Sequence, residues 1–146
     1  MKKIICLVLL TLMLFSCLTS CALLEKAVKS IMDKAESTPK ATEMMTALSE
    51  GRAEDAKDLL HPDIREGTDD AIAQMIEFVN GREIDAVTMT GVNIYESVGT
   101  NGKVSREECS FSVTFKDGSS TNVSSTYVTS KDGEGFESFQ FSIGAI

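Results

Sequence analysis

The hydrophobic period of this chain changes once, at Gly81, and no all-helical or all-strand fold accommodates both halves. Before Gly81 the apolar residues recur at helical spacing. After it they alternate, and threonine, valine, phenylalanine and tyrosine become common, as strands require.

In the first half, Ala41, Met44, Met45 and Leu48 give one apolar face that ends at Gly51. Ser37-Thr38-Pro39 predicts the start of that helix, with Thr38 as its cap and Pro39 in the first helical position. A short helix is predicted from Ala53 to Leu60, because Pro62 forbids its continuation. Thr68 is expected to cap another, with Asp69 and Asp70 suited to the positive end of its dipole. Ile72, Met75, Ile76 and Val79 form its stripe, and Gly81 stops it.

In the second half, a strand from about Ala86 to Val98 carries Gly91, which predicts a bulge. Cys109, Phe111, Val113 and Phe115 alternate inward on the next strand, opposite Ser110, Ser112 and Thr114. Asp117-Gly118 is a hairpin signal. Val123, Ser125, Tyr127 and Thr129 share one face of a third strand, and Phe139, Phe141 and Ile143 line a fourth. The predicted fold is α+β, with N-terminal helices on one face of a four-stranded antiparallel sheet.

The amino terminus follows different rules. Met1-Lys2-Lys3 is a basic start, and Ile4 to Leu18 is a strongly apolar segment ending in small residues, the pattern of a secretory signal. Leu18-Thr19-Ser20-Cys21 resembles the lipobox of bacterial lipoproteins, with Leu14-Phe15-Ser16-Cys17 a poorer match because Phe15 is bulky. The resemblance implies cleavage before Cys21, a thioether-linked lipid on its sulfur, and membrane attachment through that lipid. The alternative is an uncleaved spanning helix, since Ile4 to Leu24 is 21 residues without a charge. Both readings put the rest of the chain on the outer side of the membrane. The predicted organisation is a signal over residues 1–20, a lipid-anchored helical segment over 21–38 and a domain over 39–146. Leu24, Ala27, Val28, Ile31, Met32 and Ala35 form the apolar stripe of the linking helix.

Composition limits the partners. The formal charge is −8, and loss of Lys2 and Lys3 with the signal makes it −10. Such a surface repels nucleic acid and anionic lipid heads, so the lipid must supply the attachment. Cys6 and Cys17 leave with the signal and Cys21 is consumed, which leaves Cys109 without a disulfide partner. The sequon Asn122-Val123-Ser124 is coincidental in a bacterial-type lipoprotein.

The run from Ala47 to Ala56, leading to Leu59-Leu60-His61-Pro62, is similar to that of small bacterial lipoproteins with an NTF2-like (cystatin-like) domain. The helix from Asp70 to Asn80 and the tail ending Gly135-Phe136-Glu137-Ser138-Phe139 resemble a DUF5104-type domain in that group. The resemblance spans residues 40 to 143. It implies a curved sheet forming a cone whose open end can hold a small ligand, and it implies no particular activity.

Few residues invite chemistry. His61, the only histidine, is expected at a helix end serving the carbonyls there, or as a base at the cone's mouth. It has too few histidine and cysteine companions for a metal site, and no nucleophile motif for a triad. Cys109 alternates in phase with Phe111, which predicts a buried, inert thiol; a pair with His61 is the alternative. Tyr127 and Tyr95 are the polar groups that could offer a hydroxyl to a pocket ligand, or else pack at the sheet edge in water. No acid is expected on the inward faces, and Asp63 or Asp85 is the nearest candidate to partner a tyrosine. The methionines Met44, Met45, Met75 and Met89 read as core filler. The resulting expectation is a non-catalytic, cofactor-free binder of a small molecule or envelope protein. An isomerase or dehydratase using the cone, or an immunity-type interaction module, is the alternative.

Overall fold

A computed structural model describes residue 30, residues 35–100 and residues 102–142 of the chain. The predicted signal, Cys21 and most of the linking helix lie outside the described residues. Those from Ala35 onward belong to one compact unit. Among the described residues no helix is long and apolar enough to cross a membrane.

Helix α1 spans Ser37–Ser49, and the four residues of its predicted apolar face, Ala41, Met44, Met45 and Leu48, are fully buried. It starts earlier than the proline suggested. Pro39 is its third residue, tolerated because the first four N–H groups of a helix have no partner within it. Thr38 is inside the helix and does not cap it. Gly51, at φ 68°, ends it, and the Arg52 N–H returns to the Ala47 carbonyl at 2.8 Å.

Helix α2 spans Ala53–Asp58, two residues shorter than predicted. The chain turns there because Leu59-Leu60-His61 pairs with the last strand. The Phe136 N–H donates to the Leu59 carbonyl and the His61 N–H donates to the Phe136 carbonyl, each at 2.9 Å. A single 3-10 turn, Pro62–Ile64, follows. Helix α3 spans Asp69–Val79, with Ile72 and Val79 buried and Met75 and Ile76 half-buried. Thr68 sits at its N-cap position, but its hydroxyl donates to the Arg65 carbonyl at 2.8 Å instead of accepting from the helix. Asn80 at φ 52° and Gly81 at φ 67° both enter the left-handed region and stop the helix where Gly81 marked its end.

Strands β1 (Ile84–Gly99), β2 (Gly102–Phe115), β3 (Ser120–Ser130) and β4 (Gly133–Ser142) form an antiparallel meander in sequence order, so the fold is α+β as the period change dictates. The sheet is open, with β1 and β4 as its edges. A register shift between Met89 and Gly91 places a bulge beside the predicted glycine. Cys109, Phe111, Val113 and Phe115 of β2 are all buried on the inner face.

On β4 the register with β3 shifts between Thr126 and Tyr127, which leaves Glu137 as an extra residue. The shift breaks strict alternation and brings both Phe136 and Phe139 inward, where sequence parity admitted only Phe139. The inner face is therefore an aromatic row. Tyr127 meets Phe136 edge-on at 5.0 Å, Phe136 meets Phe139 at 5.1 Å, and Phe141 stacks on Phe78 of α3 at 4.6 Å.

Candidate functional site

The inner face of the sheet carries one polar block. Glu107 and Cys109 on β2 stand opposite Tyr127 and Ser125 on β3, and all four are buried. They lie under the start of α1. The Glu107 carboxylate accepts from the Ser37 N–H at 3.1 Å and from the Glu36 N–H at 3.3 Å, so an acid seventy residues downstream supplies the cap that no local side chain gives. A carboxylate is favoured there because the helix dipole and the unpartnered N–H groups both present positive charge. Beside it the Ser37 hydroxyl and the Cys109 thiol form a hydrogen bond of 3.0 Å. The Ser125 hydroxyl is buried without a partner among the described residues.

These surroundings hold the Cys109 thiol and the Tyr127 phenol in their protonated forms. Burial pushes the Cys109 thiol up; its hydrogen bond with Ser37 opposes this, and the Glu107 charge adds to it. Burial also raises the Tyr127 hydroxyl to about 12, helped by the carboxylates of Glu134, Glu36, Glu107 and Glu43. At neutral pH the block therefore offers a neutral phenol and a neutral thiol beside a carboxylate already engaged by backbone. None of these is an activated nucleophile or a free base.

Of the residues singled out from sequence, Tyr127 and Cys109 are brought onto neighbouring strands. The other two are not. Tyr95 lies on β1, half exposed, in register with Arg106, whose side chain is on the outer face. His61 is buried at 3% exposure, and its Nδ1 accepts from the Asp63 N–H at 3.4 Å, while Nε2 has no partner among the described residues. His61 thus serves the N-terminus of the 3-10 turn. The carbonyls at the end of α2, expected to be its partners, are taken by Arg65, which donates to Leu60 at 2.8 Å and Asp58 at 2.6 Å. A Cys109–His61 pair does not form, since the thiol's partner is Ser37.

The inward acid was missed. Glu107 lies two residues before Cys109 on the same alternating face, so its parity was legible, but its partner was not. Asp63 and Asp85, the expected acids, are both exposed. Among the described residues no group of three or more His, Cys, Asp and Glu is arranged to hold a metal ion.

The described residues also form surface concavities, three of which bear on the site. One of about 340 Å³ lies between α1 and α2, lined by Thr46, Arg52 and Leu59; one of about 290 Å³ lies on the outer face of the sheet; and one of about 450 Å³ lies near Ser49, Gly81 and Ile84. None of the three is lined by the inward phenylalanines. No family model, curated protein or solved structure matches this chain.

Proposed function

We propose that this protein is a lipid-anchored, extracytoplasmic binding module of the NTF2-like type, which recognises a small molecule or envelope partner without catalysis. The anchor reading rests on Leu18-Thr19-Ser20-Cys21 after an uncharged run with a basic start. The order of elements, helices followed by a four-stranded meander, supports the NTF2-like assignment.

The observation that carries the non-catalytic reading is the state of the inner polar block. The groups that could do chemistry, Tyr127 and Cys109, are buried and held protonated, and the nearby acid is engaged as a helix cap. Isomerase chemistry needs a free base facing a cavity, whereas here that base is hydrogen-bonded to the Ser37 and Glu36 N–H groups. Recognition is then left to the outside of the domain.

Two measurements on protein made in a bacterial host test the proposal. Intact mass should show a mature chain beginning at lipid-modified Cys21, and Cys21→Ser should accumulate as unprocessed precursor. Capture with the anchored protein as bait should recover a bound compound or an envelope partner. An unmodified Cys21 sinks the anchor; well-folded bait that recovers neither compound nor partner sinks the binding role.

A further inference from the structure

We propose that the outer face of the sheet, around Glu108, binds an uncharged, polyhydroxylated ligand of the saccharide class. The assignment rests on the binding-module reading above and names the chemistry of its ligand.

The alternation that turns Glu107 inward turns Glu108 outward. There it belongs to a register row of polar side chains across all four strands: Asn93 opposite Glu108, Glu108 opposite Thr126, and Thr126 opposite Ser138. The neighbouring row places Ser124 opposite Gln140. Between the two rows lies the concavity of about 290 Å³. Among the described residues none of these side chains donates to, accepts from or ion-pairs with another protein group, so their hydrogen-bonding capacity is open to a ligand.

The charges narrow the class. The two basic residues of β2 are already paired, Arg106 with Glu137 at 2.8 Å and Lys103 with Glu96 at 2.7 Å, and Glu108 has no ion-pair partner among the described residues. A phosphate or other anion would meet an uncompensated carboxylate. An apolar ligand would find hydroxyls and amides to desolvate. An extended peptide takes a sheet edge, because the ladder on a sheet face consumes the backbone groups it needs.

A saccharide fits each of these limits. Its hydroxyls both donate and accept, so neighbouring hydroxyls can donate to the two oxygens of Glu108 while the amides of Asn93 and Gln140 supply donors and acceptors on either side. Tyr95, 53% exposed, stands two residues from Asn93 on the same face of β1. It offers an aromatic platform to the C–H face of a sugar ring.

The test uses the full lipidated protein, isotopically labelled, in a sugar-free detergent, titrated separately with neutral trisaccharides of glucose and of N-acetylglucosamine. At least one should shift the backbone amides of Asn93, Glu108, Thr126 and Ser138, with a dissociation constant of about 1 mM. Glu108→Ala should weaken that binding by about tenfold, the loss of one charged hydrogen-bond acceptor, with dispersed amide signals showing that the variant is folded. Tyr95→Ala should weaken it several-fold, and Glu43→Ala on the helical side should not change it. The assignment is overturned if neither trisaccharide shifts these amides, if the shifts lie elsewhere, or if Glu108→Ala binds like the parent. Capture of an envelope protein without any saccharide response overturns this assignment alone. Cleavage of the saccharide would keep the site and overturn the non-catalytic role.

Discussion

Glu107 and Ser37 are seventy residues apart in sequence and are joined by a buried hydrogen bond of 3.1 Å, from the Ser37 N–H to the Glu107 carboxylate. Through it the second strand holds the first turn of α1. The same carboxylate accepts from Glu36, so the point where the compact unit begins is pinned to the middle of the sheet.

Glu107→Ala should therefore cost about 2 kcal/mol, because it leaves two N–H groups unpaired in a region that water reaches poorly. Glu107→Gln keeps one acceptor without the charge and should cost about half as much. Glu108→Ala, one residue away and outward, should stay within about 0.5 kcal/mol of the parent. Urea unfolding of the three variants checks the order, and equal losses for Glu107→Ala and Glu108→Ala would refute the cap.

The stability of the domain should fall on the alkaline side. Tyr127 holds its proton to about pH 12 in the folded chain and releases it near pH 10 when unfolded. Its contribution is complete below pH 10 and is lost as the pH rises from 10 to 12, by on the order of 2 kcal/mol. The raised Cys109 thiol acts in the same direction from about pH 9 upward. Unfolding free energy measured from pH 8 to 12 should decline, and Tyr127→Phe should flatten the upper part of that decline. An unchanged profile in Tyr127→Phe would rule out Tyr127 as its source.

Gly135 is required by close backbone approach. A Cβ built there would lie 2.5 Å from His61 N and from Leu60 C, and its φ of 153° is also strained for a side chain. Gly135→Ala should open the Leu59–His61 pairing with β4 and cost about 3 kcal/mol or more, combining overpacking with backbone strain. Hydrogen exchange at the His61 amide, which donates to Phe136, should accelerate together with the loss in melting temperature.

Arg82 closes α3 against the sheet. Its guanidinium lies 4.1 Å from the Phe115 ring centroid and donates to the Phe78 and Val79 carbonyls at 2.8 and 2.9 Å. Arg82→Ala should destabilise by about 1–2 kcal/mol. Arg82→Lys should recover little of it, because an ammonium cannot stack on the ring while bridging both carbonyls. Thermal melts of the pair decide the point, and full recovery by lysine would mean that charge alone matters.

Several features could be read from neighbouring residues. The spacing of Ala41, Met44, Met45 and Leu48 made α1 and its buried face evident, and the alternation from Cys109 to Phe115 gave β2 and its inner side. Gly81 and Asp117-Gly118 marked a helix stop and a turn, because Gly81 at φ 67° and Gly118 at φ 84° hold a backbone conformation few residues adopt, and Gly91 marked the place of a bulge. Helix and strand periods are local, and a few consecutive residues express them.

What the sequence by itself determined was the class: helices first, a four-stranded antiparallel meander after, one face of each buried. Tertiary structure alone decided which polar groups meet. Glu107 had a legible direction but no legible partner, since the start of α1 is seventy residues away and reaches it only when the helix packs on that face. Phe136 became core because one extra residue, Glu137, reversed the parity of β4, and Leu60 and His61 left the helical path to pair with that strand. A bulge or a cap of this kind takes its energy from contacts between distant segments, so it leaves no period in the chain.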